Sequence, residues 1–118
     1  MKIWVDANPE KICVVTQEGV MLKDTKGTNN ENEYKAVLFA VTYLTYKTLP
    51  LQCLTEEHVI YSDSQLVVNQ LNCKYNINED RLRRLAEEIW YLIEYFSLKV
   101  RFEWIPREEN KAGKVLGD

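Results

Sequence analysis

Three acidic residues stand where a carboxylate could bind a metal ion. Asp6 follows the apolar run Ile3–Val5, and Asp63 follows the run Val59–Ser62, while Glu33 lies near the start of a long helix-like run. Carboxylates in such places contribute little to packing, whereas oxygen ligands that converge on one point are what Mg²⁺ requires. The pattern predicts one divalent-metal site assembled from three distant segments.

Each of these residues also has a purely structural explanation. Asp6 could be a turn residue before Asn8-Pro9, and Asp63 could cap the helix that follows it. Glu33 could be a favourable charge in the first turn of a helix. The residues taken one at a time leave both explanations open.

The segments that carry these residues alternate between strand-like and helix-like patterns. Three short apolar runs separated by turns predict an antiparallel meander over Lys2–Asp6, Lys11–Val15 and Gly19–Lys23. Thr28 and Glu31 have the spacing of a capping box, and the helix they open should end near Pro50. A strand at His58–Ser62 and a short helix at Ser64–Asn72 follow.

The C-terminal part continues this alternation. Apolar residues from Leu82 to Phe96 recur at helical spacing, Lys99–Trp104 alternates as a strand, and Asn110 could cap a last short helix. The order is βββαβααβα, which predicts an α/β domain over residues 1–118 with a five-stranded mixed sheet flanked by helices. Trp4, Trp90 and Trp104 are expected in the core because they lie in strand or helix contexts.

Composition limits the classes of function. The chain has 118 residues and a single His, so the composition does not favour a Ser-His-Asp catalytic site. Three cysteines without paired spacing indicate reduced thiols in the cytoplasm and neither a disulfide frame nor a zinc site, and no apolar stretch could span a membrane. The net charge of −3 neither supports nor excludes a polyanionic substrate, because two bound divalent ions would more than offset it.

Four motifs in this order resemble the type-1 ribonuclease H family over nearly the whole chain. They are Val5-Asp6, Thr28-Asn29-Asn30 with Glu33-Tyr34, Ser62-Asp63-Ser64-Gln65, and Trp104-Ile105-Pro106-Arg107-Glu108-Glu109-Asn110. The resemblance implies a ribonuclease H-like fold and an endonuclease that cleaves the RNA strand of RNA–DNA hybrids with Mg²⁺ or Mn²⁺. We expect the protein to act as a monomer.

The resemblance also implies roles for individual residues. Asp6, Glu33 and Asp63 would ligate the metal ions. Four amide side chains would contact the minor groove of the hybrid, namely Asn8, Asn29, Asn30 and Gln65. Amides suit that groove because they both donate and accept hydrogen bonds, and the RNA strand presents 2′-hydroxyls. The alternative for Asn29 and Asn30 is loop and capping chemistry.

Departures from the family pattern leave the activity open. The fourth acidic residue is replaced by Lys114, so the lysine could substitute for it, Asp118 could reach the site, or the site could be degraded. The glycine that usually follows the first aspartate is Ala7, and a short loop at Cys73–Asn78 stands where longer members carry a basic protrusion. Two alternatives therefore remain. The protein could be a catalytically weakened hybrid-binding or interaction module of the same fold, or a DNA-acting nuclease of the wider superfamily.

A basic cluster opens the second long helix. Arg81, Arg83 and Arg84 could bind phosphate, but an exposed face that pairs with Glu87 and Glu88 is the more ordinary explanation.

Overall fold

The computed structural model describes residues 1–47 and 56–117. Predictions about Pro50, Cys53 and Asp118 lie outside these residues. The strands are β1 (Lys2–Ala7), β2 (Lys11–Thr16), β3 (Gly19–Asp24), β4 (Glu57–Ser62) and β5 (Lys99–Trp104). The helices are α1 (Asn29–Lys47), α2 (Gln65–Leu71), α3 (Asp80–Tyr95) and α4 (Lys111–Val115), and a 3₁₀ turn at Arg107–Glu109 precedes α4. The predicted order of elements and the α/β fold are confirmed.

The five strands form one mixed sheet in the order β3-β2-β1-β4-β5. The first three strands pair antiparallel as a meander, whereas β4 runs parallel to both β1 and β5. In the β1–β4 pair Ile3 lies opposite Ile60, so the carboxyl ends of the two central strands reach the same edge of the sheet. This register brings Asp6 and Asp63 to one place although 57 positions separate them in the sequence.

One face of the sheet supplies most of the core. Ile3, Val5, Val14 and Ile60 are buried on that face, and α1 packs against β1 and β2 with its own apolar side. Helix α3 packs against α1, and its buried residues Leu82, Ala86 and Ile89 follow the predicted helical spacing. On the opposite face α4 contacts β1 and β2.

The helix starts use the predicted capping chemistry. The Glu31 backbone N–H donates to Thr28 Oγ1 at 3.1 Å, and the Thr28 N–H donates to the Glu31 carboxylate at 3.2 Å, which completes a capping box. Ser64, and not Asp63, caps α2 by accepting from the Val67 N–H. The capping explanation of Asp63 is therefore wrong, and its carboxylate remains available for other partners.

Three predictions about single residues need correction. Trp104 is not a core residue, because 44% of it is exposed. Glu33 is the fifth residue of α1 and lies in the second helical turn, so the helix dipole acts on it less than on a first-turn charge. Arg81 pairs with Glu31 on α1, with 3.6 Å between the charged atoms, and not with an acidic residue of its own helix.

Within the described parts of the chain, no helix is long and apolar enough to cross a membrane.

Candidate metal and nucleic-acid site

The carboxylates of Asp6, Glu33 and Asp63 converge at the carboxyl edge of the sheet. One oxygen from each lies within 4.8 Å of the oxygens from the other two. Asp6 and Glu33 are almost fully buried, at 3% and 5% exposure, whereas Asp63 is half-buried. The sequence placed these residues at two strand ends and one helix, and the fold brings all three together.

Each carboxylate is positioned by a different element. Asp6 is the penultimate residue of β1. Asp63 is the single residue between the end of β4 and Ser64, the N-cap of α2. Glu33 reaches the same point from α1, whose neighbouring residue Tyr34 is fully buried and anchors the helix by donating from its hydroxyl to Gln70 at 2.7 Å. The ligands are thus fixed by the packing of a strand, a loop and a helix.

The electrostatics of this cluster are unfavourable in the absence of a cation. Burial, together with the nearby charges of Asp6 and Asp63, raises the pKa of Glu33 to about 9. A hydrogen bond from the Ala7 backbone N–H opposes the change in part. Close, buried carboxylates of this kind favour either a shared proton or a bound cation.

A second set of contacts holds Asp63 from the segment that joins β5 to α4. The fully buried Asn110 donates from Nδ2 to Asp63 Oδ2 at 3.0 Å and to the Val5 carbonyl at 2.9 Å. Its Oδ1 accepts from the Ala112 N–H, so the same side chain caps α4 as predicted. Trp104 donates from its indole N–H to the Asp63 carbonyl at 3.1 Å. Asn110 and Trp104 therefore fix the side chain and the backbone of Asp63.

An exposed cation stands at the rim of the cluster. Arg107 lines a cleft of about 170 Å³ together with Asp6, Ala7, Asn29, Glu33, Asp63 and Ser64. The sequence patterns assigned no separate role to Arg107 and only a capping role to Asn110. The one available signal was that both residues belong to the motif Trp104–Asn110.

The four amides predicted to contact substrate are placed differently from one another. Asn29 is exposed and lines the cleft, while Asn30 is half-buried and Gln65 is exposed at the start of α2. Asn8 uses its side-chain oxygen inside the β1–β2 turn, where it accepts from the N–H groups of Glu10 and Lys11. The structure thus brings Asn29 to the carboxylates, and the contacts of all four amides with a substrate stay predictions.

Lys114 lies on the exposed side of α4 and is not among the residues that line the cleft. Its neighbours Ala112 and Gly113 are buried, and its backbone N–H donates to the Asn110 carbonyl. The proposed replacement of a fourth carboxylate by Lys114 stays a prediction.

The donor set fits a hard divalent cation. All three groups offer carboxylate oxygens, which are the ligands that Mg²⁺ and Mn²⁺ prefer. Glu33 Oε2 is buried and has no hydrogen-bond partner in the described part of the chain, so this oxygen is available to a cation. The half-buried Asp63 and the exposed Arg107 leave one side open to an anionic substrate.

Solved structures support the fold. LC11-RNase H1 in complex with an RNA/DNA hybrid superposes with a TM-score of 0.78 at 21% identity, covering 98% of this chain and 99% of that one. RNase H1 from Halobacterium salinarum gives a TM-score of 0.73 at 21% identity, covering 98% and 90%. The N-terminal RNase H domain of Rv2228c from Mycobacterium tuberculosis gives 0.69 at 23% identity, covering 92% and 84%.

A family model described as reverse transcriptase-like matches residues 10–117, which include Glu33, Asp63 and the segment Trp104–Asn110 but not Asp6. Since the match spans most of the chain and the structural neighbours share the ribonuclease H fold, this chain belongs to the reverse transcriptase-like family of ribonuclease H-like proteins.

Proposed function

We propose that this protein is an endonuclease that hydrolyses the RNA strand of RNA–DNA hybrids, with Mg²⁺ or Mn²⁺ held by Asp6, Glu33 and Asp63. The observation that carries the proposal is the convergence of three carboxylates within 4.8 Å in a cleft that also presents Arg107 and Asn29. A purely structural role does not explain three carboxylates in a partly buried place, where they must repel one another or share a proton unless a cation is bound.

The residues of the cleft divide the work between them. Asp6 and Glu33 lie deep and would hold the cation from the sheet and from α1, while the half-buried Asp63 would hold it from the open side. When bound, divalent ions at such a site activate water and stabilise the leaving oxygen of a phosphodiester. Asn110 keeps one Asp63 oxygen in a fixed direction through its 3.0 Å hydrogen bond.

The exposed residues would bind the substrate. Arg107 can form charge-assisted hydrogen bonds with a phosphate oxygen, because its guanidinium presents a fork of donors to the open side of the cleft. The Asn29 amide can donate a hydrogen bond to a 2′-hydroxyl and accept one from it. Because only RNA carries this hydroxyl, the contact would distinguish an RNA strand from a DNA strand. One solved structural neighbour, LC11-RNase H1, was captured with an RNA/DNA hybrid, which is consistent with this substrate.

Cleavage of labelled substrates tests the proposal. An RNA–DNA hybrid, a DNA duplex and an RNA duplex of the same sequence would be incubated with Mg²⁺ and with Mn²⁺ side by side. We expect cutting of the RNA strand in the hybrid only. Equal cutting of the DNA duplex would assign the protein to a DNA-acting nuclease of the same fold.

A second candidate function is a hybrid-binding module with weak catalysis, and Lys114 is the observation that favours it. A cation replaces the fourth family carboxylate, so a second metal ion would be held poorly. The variant Lys114→Asp separates the two functions. A rise in Mg²⁺-dependent cleavage would indicate a degraded site, a fall would indicate that the lysine contributes to catalysis, and an unchanged rate would show that Lys114 points away from the site.

A further inference from the structure

A cationic groove lies between the edge strand β3 and the middle of α1. Its volume is about 460 Å³, and we refer to it as the lysine groove. The residues that line it are Ile12, Lys23, Asp24, Thr25, Lys26, Lys35, Leu38, Phe39 and Thr42. None of them belongs to the carboxylate cleft, so the groove is a separate surface feature.

In the described part of the chain the lysines of this groove form no close ion pairs, although Lys35 lies near the Glu31 carboxylate and, after the hydrogen bond from the Thr28 N–H, helps to lower its pKa. Among the described residues, Lys23, Lys26 and Lys35 form no ion pair within 4.0 Å, whereas Asp24 is engaged by Lys11 at 2.5 Å. Lys35 Nζ donates to the Lys26 carbonyl at 2.6 Å, and Lys23 Nζ lies 5.6 Å from the centre of the Phe39 ring. A chain of net charge −3 thus keeps three lysines together in one groove, and Lys35 among them has a nearby carboxylate, that of Glu31.

Two of the three arginines at the start of α3 have protein partners, whereas Arg84 is exposed and forms no ion pair among the described residues. Arg81 is paired with Glu31, and Arg83 donates to the Ile77 carbonyl. The loop Cys73–Asn78 contributes Lys74 as its single basic residue. The three lysines of the groove therefore offer a long anionic ligand that reaches the carboxylates a cluster of positive charge on the β3 side of α1.

A hydrogen-bonded connection joins the lysine groove to the carboxylate cleft. Asn32 is fully buried and lies next to Glu33 in α1. Its Oδ1 accepts from the Thr25 hydroxyl at 2.9 Å, and its Nδ2 donates to the Asn8 carbonyl at 3.2 Å. These hydrogen bonds join the β3–α1 loop to the turn that follows Asp6, and thereby connect the groove with the cleft.

We propose that the lysine groove binds the phosphate backbone of the nucleic-acid substrate away from the point of cleavage, taking the place of a basic protrusion. This inference rests on the proposed function for the identity of the substrate. Lysines act as mobile point charges that contact successive phosphates without reading sequence. The apolar residues Leu38 and Phe39 line the groove beside Lys23 and Lys35, whose aliphatic stems can pack on them. Each ammonium group has three N–H donors, so the contacts described above leave donors for a phosphate.

Salt-dependent binding tests this proposal independently of catalysis. The full chain would be titrated into a fluorescein-labelled RNA–DNA hybrid in EDTA, where cleavage is suppressed, at several KCl concentrations. The test variant is Lys23→Ala/Lys35→Ala. The control is Lys2→Ala/Lys99→Ala, which removes the same charge from exposed positions at the start of β1 and β5.

We expect the groove variant to bind about tenfold more weakly at low salt, and the slope of log K against log[KCl] to become shallower by about 1–2. The control should keep the wild-type slope, and Lys23→Arg/Lys35→Arg should restore it. Equal slopes for the groove variant and the wild type would overturn the proposal, as would an equal loss in the control.

The cleavage assay separates the failure of the groove from the failure of the proposed function. If the wild type cuts the hybrid but both double variants bind equally well, the groove assignment is wrong and the activity stands. If the groove variant loses salt-dependent binding in a protein that cuts no substrate, the groove stands and the nuclease assignment is wrong. A wild-type protein that neither binds nor cuts the hybrid would overturn both.

Discussion

The two ends of the central sheet each bury an ionisable side chain, with opposite consequences. At the carboxyl edge Glu33 is 5% exposed and lies beside Asp6 and Asp63. At the amino end of β4, His58 is 3% exposed, and both of its ring nitrogens have no hydrogen-bond partner in the described part of the chain. Its nearest acidic atom is Glu56 Oε2, 3.9 Å from Nδ1.

Burial shifts both pKa values toward the neutral form, but the neighbours differ. Burial and two like charges raise the pKa of Glu33 to about 9. Burial, followed by the N-terminal ammonium, lowers the pKa of His58, and Glu56 opposes that change. Glu33 belongs to a set of oxygen ligands beside an open cleft, whereas His58 stands alone. A buried ionisable group thus indicates a site only when other ligands converge on it; otherwise it lowers stability.

The largest expected effect comes from removing a ligand. Asp63→Asn keeps the shape of the side chain but removes its charge, so we expect Mg²⁺ and Mn²⁺ affinity to fall by about 100-fold or more. The free energy of unfolding without metal should hold or rise, because one of three repelling charges is gone. Calorimetric titration and urea denaturation measure the two quantities. Unchanged ion affinity would remove Asp63 from the metal site.

A substitution of Asn110 tests how much its hydrogen bonds to Asp63 and Val5 contribute to stability. Asn110→Asp keeps an oxygen that can cap α4 but replaces the donor that serves Asp63 and Val5. Two acceptors would lose their partner and meet a new negative charge, so we expect a loss of about 2–4 kcal/mol in unfolding free energy. Urea denaturation with and without Mg²⁺ checks this. A variant as stable as the wild type would show that the two hydrogen bonds have little weight.

The pH dependence of the metal-free protein tests the raised pKa of Glu33. A carboxyl group that binds its proton more tightly when folded gives stability below its ordinary pKa of 4.5, and this stability is lost as pH rises toward about 9. We therefore expect stability without metal to decline over that window. Glu33→Gln should flatten the decline, with a gain of about 1–3 kcal/mol at alkaline pH. A wild-type curve that rises across the window would contradict the raised pKa.

The smallest effect is expected at His58. A lowered pKa gives stability above the ordinary value of 6.5, and this stability is lost as pH falls through the pKa of the folded state. His58→Leu removes two unpaired polar atoms from the core, so we expect a gain of about 1 kcal/mol that is larger at pH 5 than at pH 7.5. Thermal unfolding at both pH values measures it. A loss of stability would mean that His58 has a partner in solution.

Local patterns allowed most of the fold and the three carboxylates to be predicted. The Thr28–Glu31 capping box and the apolar spacing from Leu82 to Phe96 depend on residues close in sequence. The contact of Asn110 with the Val5 carbonyl joins positions 105 residues apart, and no local pattern reports it. Trp104 was misplaced for a related reason: a strand-end indole was expected in the core, whereas its N–H is directed to the Asp63 carbonyl.

The most direct test measures Mg²⁺-dependent cleavage of a labelled RNA–DNA hybrid by the wild type, Asp63→Asn and His58→Leu under identical conditions. We expect the wild type and His58→Leu to cut the RNA strand at the same rate and Asp63→Asn to be at least about 100-fold slower. Cleavage by Asp63→Asn at the wild-type rate, or a loss in His58→Leu as large as that in Asp63→Asn, would contradict the assignment of the carboxylate cluster as the catalytic metal site.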